Sequence, residues 1–145
     1  MTSRDATTRW SGDLKTGSGQ TSLDSSNLGP FTVSWPARAE EPDGLTSPEE
    51  LIAAAHSACL AMNLTGVLTK EGLTAEHVEV SAEVTLEQDP EGGFRISRSA
   101  VTLRAKVPDV DADRFAELAR TAERTCPVSK ALAGTTITLD AALED

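Results

Sequence analysis

Ser47 to Lys70 reads SPEELIAAAHSACLAMNLTGVLTK, one long helix by both its punctuation and its composition. Ser47 is an N-cap, Pro48 occupies the first helical position where a missing N–H costs nothing, and Glu49 and Glu50 meet the positive end of the helix dipole. Gly72 supplies the terminator. Small apolar residues recur all round (Ala53, Ala54, Ala55, Ala58, Ala61), so the segment predicts a central, buried helix that neighbours can approach closely. It also carries His56 and Cys59.

Upstream, Trp35–Ser47 (WPARAEEPDGLTS) has two prolines, a glycine and alternating charge, which predicts an exposed loop. Before it, Thr7–Trp10, Gln20–Leu23 and Phe31–Ser34 are short strand candidates among Gly-, Ser- and Thr-rich turns. Downstream, His77–Glu87 and Phe94–Val107 alternate apolar and polar residues around the turn residues Asp89–Gly93, a β-hairpin pattern. Asp111 caps a second helix with Phe115, Leu118, Ala119 and Ala122 on one face. After a break at Thr125, a third helix runs from Pro127 to Ala133 and stops at Gly134, and Thr135–Leu143 is a final strand. The order βββ, long α, ββ, αα, β is that of an α+β domain, with mainly antiparallel sheets around the long central helix. At 145 residues the expectation is one domain, 1–145.

Asp and Glu outnumber Lys and Arg by 23 to 13, a formal charge of −10, which repels a phosphate backbone and argues against nucleic acid as a partner. No signal-peptide core opens the chain, and its longest weakly polar stretch, Leu51–Val67, is interrupted by His56, Ser57, Asn63 and Thr65. A soluble, cytoplasmic protein with no membrane contact is expected. Two cysteines lying 67 positions apart make neither a secreted disulfide framework nor a CxxC motif. His56, Cys59 and Cys126 lack the second close ligand pair that a metal site requires, so no metal is expected.

Cys126 directly precedes Pro127 and is the N-cap of the third helix, where free N–H groups stabilise a thiolate; local physics makes it the more acidic thiol. Cys59, in mid-helix, would need a cation from elsewhere. Arg38 in the preceding loop is a candidate, because a guanidinium stays charged when partly buried and can also hold a carboxylate in a fork; the plainer alternative is a solvated loop charge. Glu50, three residues after Ser47, can close a capping box, which leaves Glu49 the freer carboxylate. His56, three residues before Cys59, can act as base or donor in a shared pocket, or simply be a histidine satisfied inside a helical interface. With five aromatic residues in the chain, any ligand pocket is largely aliphatic, with Trp35 a candidate wall beside Arg38. Glu49 and Cys59 stand ten residues apart on one helix, about 15 Å at ~1.5 Å per residue, so one chain cannot join them in a compact site. Two antiparallel copies crossing near Ala54 could, which predicts a homodimer with composite sites.

The segments SPEELIAAAHSACLAMNL and RTCPVSKAL resemble the two signature motifs of the OsmC/Ohr family, the osmotically inducible protein C and organic hydroperoxide resistance proteins. The resemblance runs from Trp10 to Leu143 and is closer to the OsmC branch. It implies an intertwined homodimer and a thiol-dependent peroxidase that acts on organic hydroperoxides and hydrogen peroxide in defence against oxidative and osmotic stress. Carried over by motif, Cys59 is the peroxidatic thiol, Cys126 the resolving thiol, Arg38 the holder of the thiolate and Glu49 its partner; Trp35 and His56 are substrate-binding candidates. No bound cofactor is implied, only an external dithiol such as a dihydrolipoyl group. Two other readings stay open: a thiol–disulfide oxidoreductase, and a non-enzymatic small-molecule-binding dimer with structural cysteines.

Overall fold

A computed structural model describes every residue from Met1 to Asp145, and their contacts gather into two compact units, Met1–Leu51 and Ile52–Asp145. In the first unit, β1 (Thr7–Ser11), β2 (Ser18–Leu23) and β3 (Leu28–Val33) form an antiparallel sheet in that order. The turn between β1 and β2 is closed by Asp13, whose carboxylate accepts the Thr16 N–H and hydroxyl at 2.8 Å each. The segment expected as a loop instead begins with a short helix, α1 (Trp35–Ala39). Ser34 caps it, its hydroxyl accepting the Ala37 N–H at 3.2 Å, and Pro36 lies in the first turn. The prolines suggested a loop, yet a proline one or two places after a serine is also a helix start.

The long helix α2 (Pro48–Lys70) has the predicted bounds. Ser47 accepts the Glu50 N–H at 3.2 Å. The Glu50 carboxylate, expected to close a capping box on Ser47, accepts the Thr46 hydroxyl instead, at 2.7 Å. At the other end Gly72, with φ +74°, lets the Leu73 N–H reach the Leu68 carbonyl at 2.9 Å while its own N–H reaches Thr69 at 3.0 Å. That pairing satisfies the last carbonyls and stops the helix.

Burial on all sides of α2 is the expectation, yet beyond Glu49 in its first turn only one stripe is buried: His56, Leu60, Leu64 and Leu68, spaced four residues apart. Ala54, Ala55 and Ala58 are exposed, and Met62 is 74% exposed. By length and apolar composition alone α2 could cross a bilayer. Its buried stripe instead packs on protein, and Asn63 donates to the Ala122 carbonyl at 2.6 Å.

In the second unit β4 (His77–Gln88) and β5 (Phe94–Lys106) form the predicted hairpin, closed by the Asp89 N–H on the Gly93 carbonyl at 2.8 Å. Asp111 caps α3 (Ala112–Thr125) by accepting the Arg114 N–H at 2.8 Å. The third predicted helix is shorter than its sequence suggested, α4 (Pro127–Ala131), with Leu132 at its C-cap. The crossover through α3 and α4 returns the chain so that β6 (Thr136–Leu143) pairs with β5 in parallel, the sheet order being β4-β5-β6. The α2 stripe, the α3 face of Phe115, Leu118, Ala119 and Ala122, and Val101, Leu103 and Ala105 of β5 enclose the core. The fold is thus α+β, two three-stranded sheets with one long helix.

Candidate active site

Three groups of side chains are candidates for the chemistry. In the second unit Cys59 of α2 is half-buried and Cys126, between α3 and α4, is fully buried; both are free thiols with sulfurs 3.2 Å apart. Burial pushes the Cys126 thiol up, but the Ser129 N–H, the Cys59 thiol, the Ser129 hydroxyl and the Val128 N–H outweigh it and leave its pKa below the ordinary value. For Cys59 burial also pushes the pKa up; the Val128 N–H opposes it, the neighbouring Cys126 adds to it, and the net shift is upward. Either sulfur could donate across 3.2 Å by geometry. The opposite shifts make Cys126 the thiol that gives up its proton first, with Cys59 then the donor across the contact. This is the order of acidity that the position of Cys126 before Pro127 leads one to expect.

In the first unit α1 aims Arg38 at the opening turn of α2. The guanidinium donates to Glu49 through Nε at 3.0 and 3.3 Å and through Nη2 at 2.9 Å, a forked ion pair whose carboxylate residue is 8% exposed. Glu49 is therefore spoken for by Arg38, whereas Glu50 pairs with Thr46 and not with Ser47. Arg38 and Trp35 also line one cavity of about 430 Å³, with Trp10, Leu14, Val33 and Pro48 as its apolar walls. The Trp10 ring lies across β2 because Gly19 has no side chain: a Cβ there would sit 2.9 Å from the ring.

His56 has no exposed surface; its Nδ1 lies 2.7 Å from the Ser99 hydroxyl and its Nε2 2.8 Å from the Ser129 hydroxyl. Burial lowers its pKa and so favours the neutral ring, partly opposed by the charge of Glu123. The expectation of a substrate contact finds no free ring nitrogen here. Ser99 and Ser129, which sequence reasoning did not single out, complete this group. The signal was present for Ser99, a hydroxyl in the inward series Ser99, Val101, Leu103, Ala105 of β5. No group of three or more His, Cys, Asp or Glu side chains converges to hold a metal ion.

Residues 41–140 match the protein family described as OsmC-like protein. The chain is also 38% identical over 131 residues to peroxiredoxin OsmC of Escherichia coli strain K12, covering 90% of both chains. The chain belongs to the OsmC-like family. Among other relatives of this OsmC-like chain, the organic hydroperoxide resistance protein OhrA of Bacillus subtilis strain 168 is 36% identical over 98 residues, 67% of each chain. The crystal structure of OhrB of Bacillus subtilis matches with 28% identity and a TM-score of 0.69, over 97% of this chain and 98% of that one. An organic hydroperoxide resistance protein from Elizabethkingia anophelis matches with 26% identity and a TM-score of 0.77, over 99% and 98%. The family match takes in Glu49, His56, Cys59 and Cys126, whereas Trp35 and Arg38 precede it.

Proposed function

We propose that this OsmC-like protein is a thiol-dependent peroxidase that reduces organic hydroperoxides, and hydrogen peroxide, to alcohol or water. The observation that carries the mechanism is the 3.2 Å approach of Cys59 and Cys126, little more than an ångström from the about 2.05 Å of a disulfide. The Cys59 thiolate attacks the terminal peroxide oxygen, the O–O bond breaks, and the alkoxide leaves and takes up a proton as alcohol. Cys59 is then a sulfenic acid. The Cys126 thiolate attacks its sulfur and expels hydroxide, giving the Cys59–Cys126 disulfide. An external dithiol of the dihydrolipoyl type reduces the disulfide and is itself oxidised to a disulfide. No bound cofactor takes part in this scheme.

Burial and the neighbouring Cys126 raise the Cys59 pKa, so this mechanism needs a cation to favour its thiolate. Arg38, fixed by Glu49, is that cation, and the apolar cavity beside it suits an alkyl hydroperoxide. Ten residues of helix separate Glu49 from Cys59, so the working unit is a homodimer in which Arg38 and Glu49 of one copy serve Cys59 of the other. The exposed Ala54, Ala55, Ala58 and Met62 surface of α2 supports a second copy as its cover. The reaction belongs to oxidative-stress defence in the cytoplasm, whose reducing thiols keep both cysteines free.

Intact mass of the reduced protein before and after one equivalent of tert-butyl hydroperoxide tests the scheme. Loss of about two mass units in the wild type, a trapped sulfenic acid in Cys126→Ser and inertness in Cys59→Ser are the expected results. Oxidation of Cys59→Ser with inertness of Cys126→Ser would reverse the two roles, and no oxidation of any of the three would remove the peroxidase reading.

A further inference from the structure

The proposed reaction uses Cys59, Cys126, Arg38 and Glu49, and leaves unexplained a buried polar line in the second unit. Ser99 of β5, His56 of α2 and Ser129 of α4 are 0%, 0% and 5% exposed, and every heavy-atom step between them is 2.7 or 2.8 Å. The line leads on to Cys126: Ser129 stands in the first turn of α4, the helix whose N-cap is Cys126, and its hydroxyl is among the groups that lower the Cys126 pKa. A structural histidine would need only two partners of any kind. Here one partner is a side chain that acts on the more acidic thiol.

A neutral imidazole carries one N–H, so the line has two possible polarities. With the proton on Nδ1, His56 donates to Ser99 and its Nε2 accepts the Ser129 hydroxyl proton, leaving Ser129 with no proton for sulfur. With the proton on Nε2, Ser99 donates to Nδ1, Nε2 donates to the Ser129 oxygen, and the Ser129 hydroxyl proton points to Cys126. A thiolate accepts hydrogen bonds and cannot donate, so it selects the second polarity. Other titratable groups face the line: Glu123 of α3, whose charge acts on His56, and Cys59 of α2, across the sulfur contact. Neither supplies or removes the hydroxyl proton of Ser129.

We propose that His56 is a positioning residue for Cys126: fixed by Ser99 as the Nε2–H tautomer, it turns the Ser129 hydroxyl onto the Cys126 thiolate and so holds that thiol ready to attack. The same line fixes what happens after the disulfide forms. Cys126 then has no charge to attract a proton, the Ser129 hydroxyl is released to donate back to Nε2, and the ring moves to the Nδ1–H tautomer. His56 therefore reports the redox state of the cysteine pair without ever becoming charged.

The inference rests on Cys126 being a reacting thiol, and its readouts are independent of peroxide turnover, which tests that assignment separately. In a Cys59→Ser background, thiolate absorbance near 240 nm is titrated against pH. Ser129→Ala and His56→Leu are expected to raise the Cys126 midpoint by about one pH unit, a tenfold loss of thiolate at a fixed pH. His56→Gln, whose side-chain amide can still donate to Ser129, is expected to keep the midpoint. A two-bond 1H–15N correlation spectrum of the wild type needs no substitution at His56 and is expected to show the Nε2–H tautomer in reduced protein and Nδ1–H after oxidation. An unchanged midpoint in Ser129→Ala, a Gln variant that titrates with the Leu variant, or the Nδ1–H tautomer in reduced protein would each overturn the proposal. Peroxide consumption failing while these shifts appear would instead count against the peroxidase reading alone.

Discussion

Arg38 presents two nitrogens to Glu49, Nε at 3.0 Å and Nη2 at 2.9 Å, so the carboxylate fixes both the position and the plane of the guanidinium. A fork of this kind needs two parallel N–H groups, which lysine does not have. Arg38→Lys therefore keeps the charge and loses the aim, and Glu49→Gln keeps the shape and loses the ion pair. Each is expected to lower kcat/KM for an alkyl hydroperoxide about tenfold to a hundredfold, the range for a charged hydrogen bond of about 1.5–3 kcal/mol. Steady-state kinetics checks this, with circular dichroism showing that the fold is retained.

The two thiols are expected to titrate in opposite directions from the ordinary cysteine value. In Cys59→Ser the remaining Cys126 keeps the N–H groups of Val128 and Ser129 and titrates low; in Cys126→Ser the remaining Cys59 titrates high. Absorbance titration of both variants gives the order, and a lower midpoint for Cys59 would refute it.

The exposed apolar face of α2 predicts the assembly state. Ala58→Arg places a charge on that face without touching the buried stripe of Leu60, Leu64 and Leu68. The variant is expected to sediment as a folded monomer and to lose peroxidase activity, whereas the wild type sediments as a dimer. A monomeric wild type with full activity at micromolar concentration would remove the composite-site scheme.

His56 is also a stability probe. Burial lowers its folded-state pKa below the unfolded value of about 6.5, so the unfolded chain binds more protons in the interval between the two. The contribution to stability is complete above about pH 6.5 and is lost as pH falls toward the folded pKa. Urea midpoints are expected to drop between pH 7.5 and pH 5, and His56→Gln is expected to flatten that slope; a midpoint in the wild type that rises on acidification would contradict it.

Phe115 is 1% exposed at the centre of the α3 face. Phe115→Ala removes that side chain from a packed core and is expected to cost about 3–5 kcal/mol in urea unfolding. A cost below about 1 kcal/mol would mean that the face is not core.

Helix and hairpin boundaries were legible wherever a local signal controls the backbone. Ser47 and Pro48 start α2, Gly72 stops it, Asp111 caps α3, and Asp89–Gly93 turn the hairpin, each by bonds that span a few residues. The same grammar marked Cys126 as the more acidic thiol, since helix-terminal N–H groups act on whatever residue stands at the cap, but it assigned Glu50 to a capping box whose place the Thr46 hydroxyl takes. Where two local signals competed, as at Ser34–Pro36, the turn reading and the helix-start reading could not be told apart without the packing around Ala37.

Pairings between distant residues depend on how the elements pack, and the linear order does not encode them. Nothing in the chain's order announces that Ser99, 43 residues from His56, and Ser129, 73 residues away, occupy its two nitrogens. The parallel docking of β6 on β5 and the single buried stripe of α2 are likewise products of packing. A sequence specifies which side chains are apolar or capable of chemistry, because those are properties of single residues and short spans. Only the folded chain decides which of them meet, because burial rewards the whole arrangement, and a hydrogen bond between distant residues forms where that arrangement leaves a donor facing an acceptor.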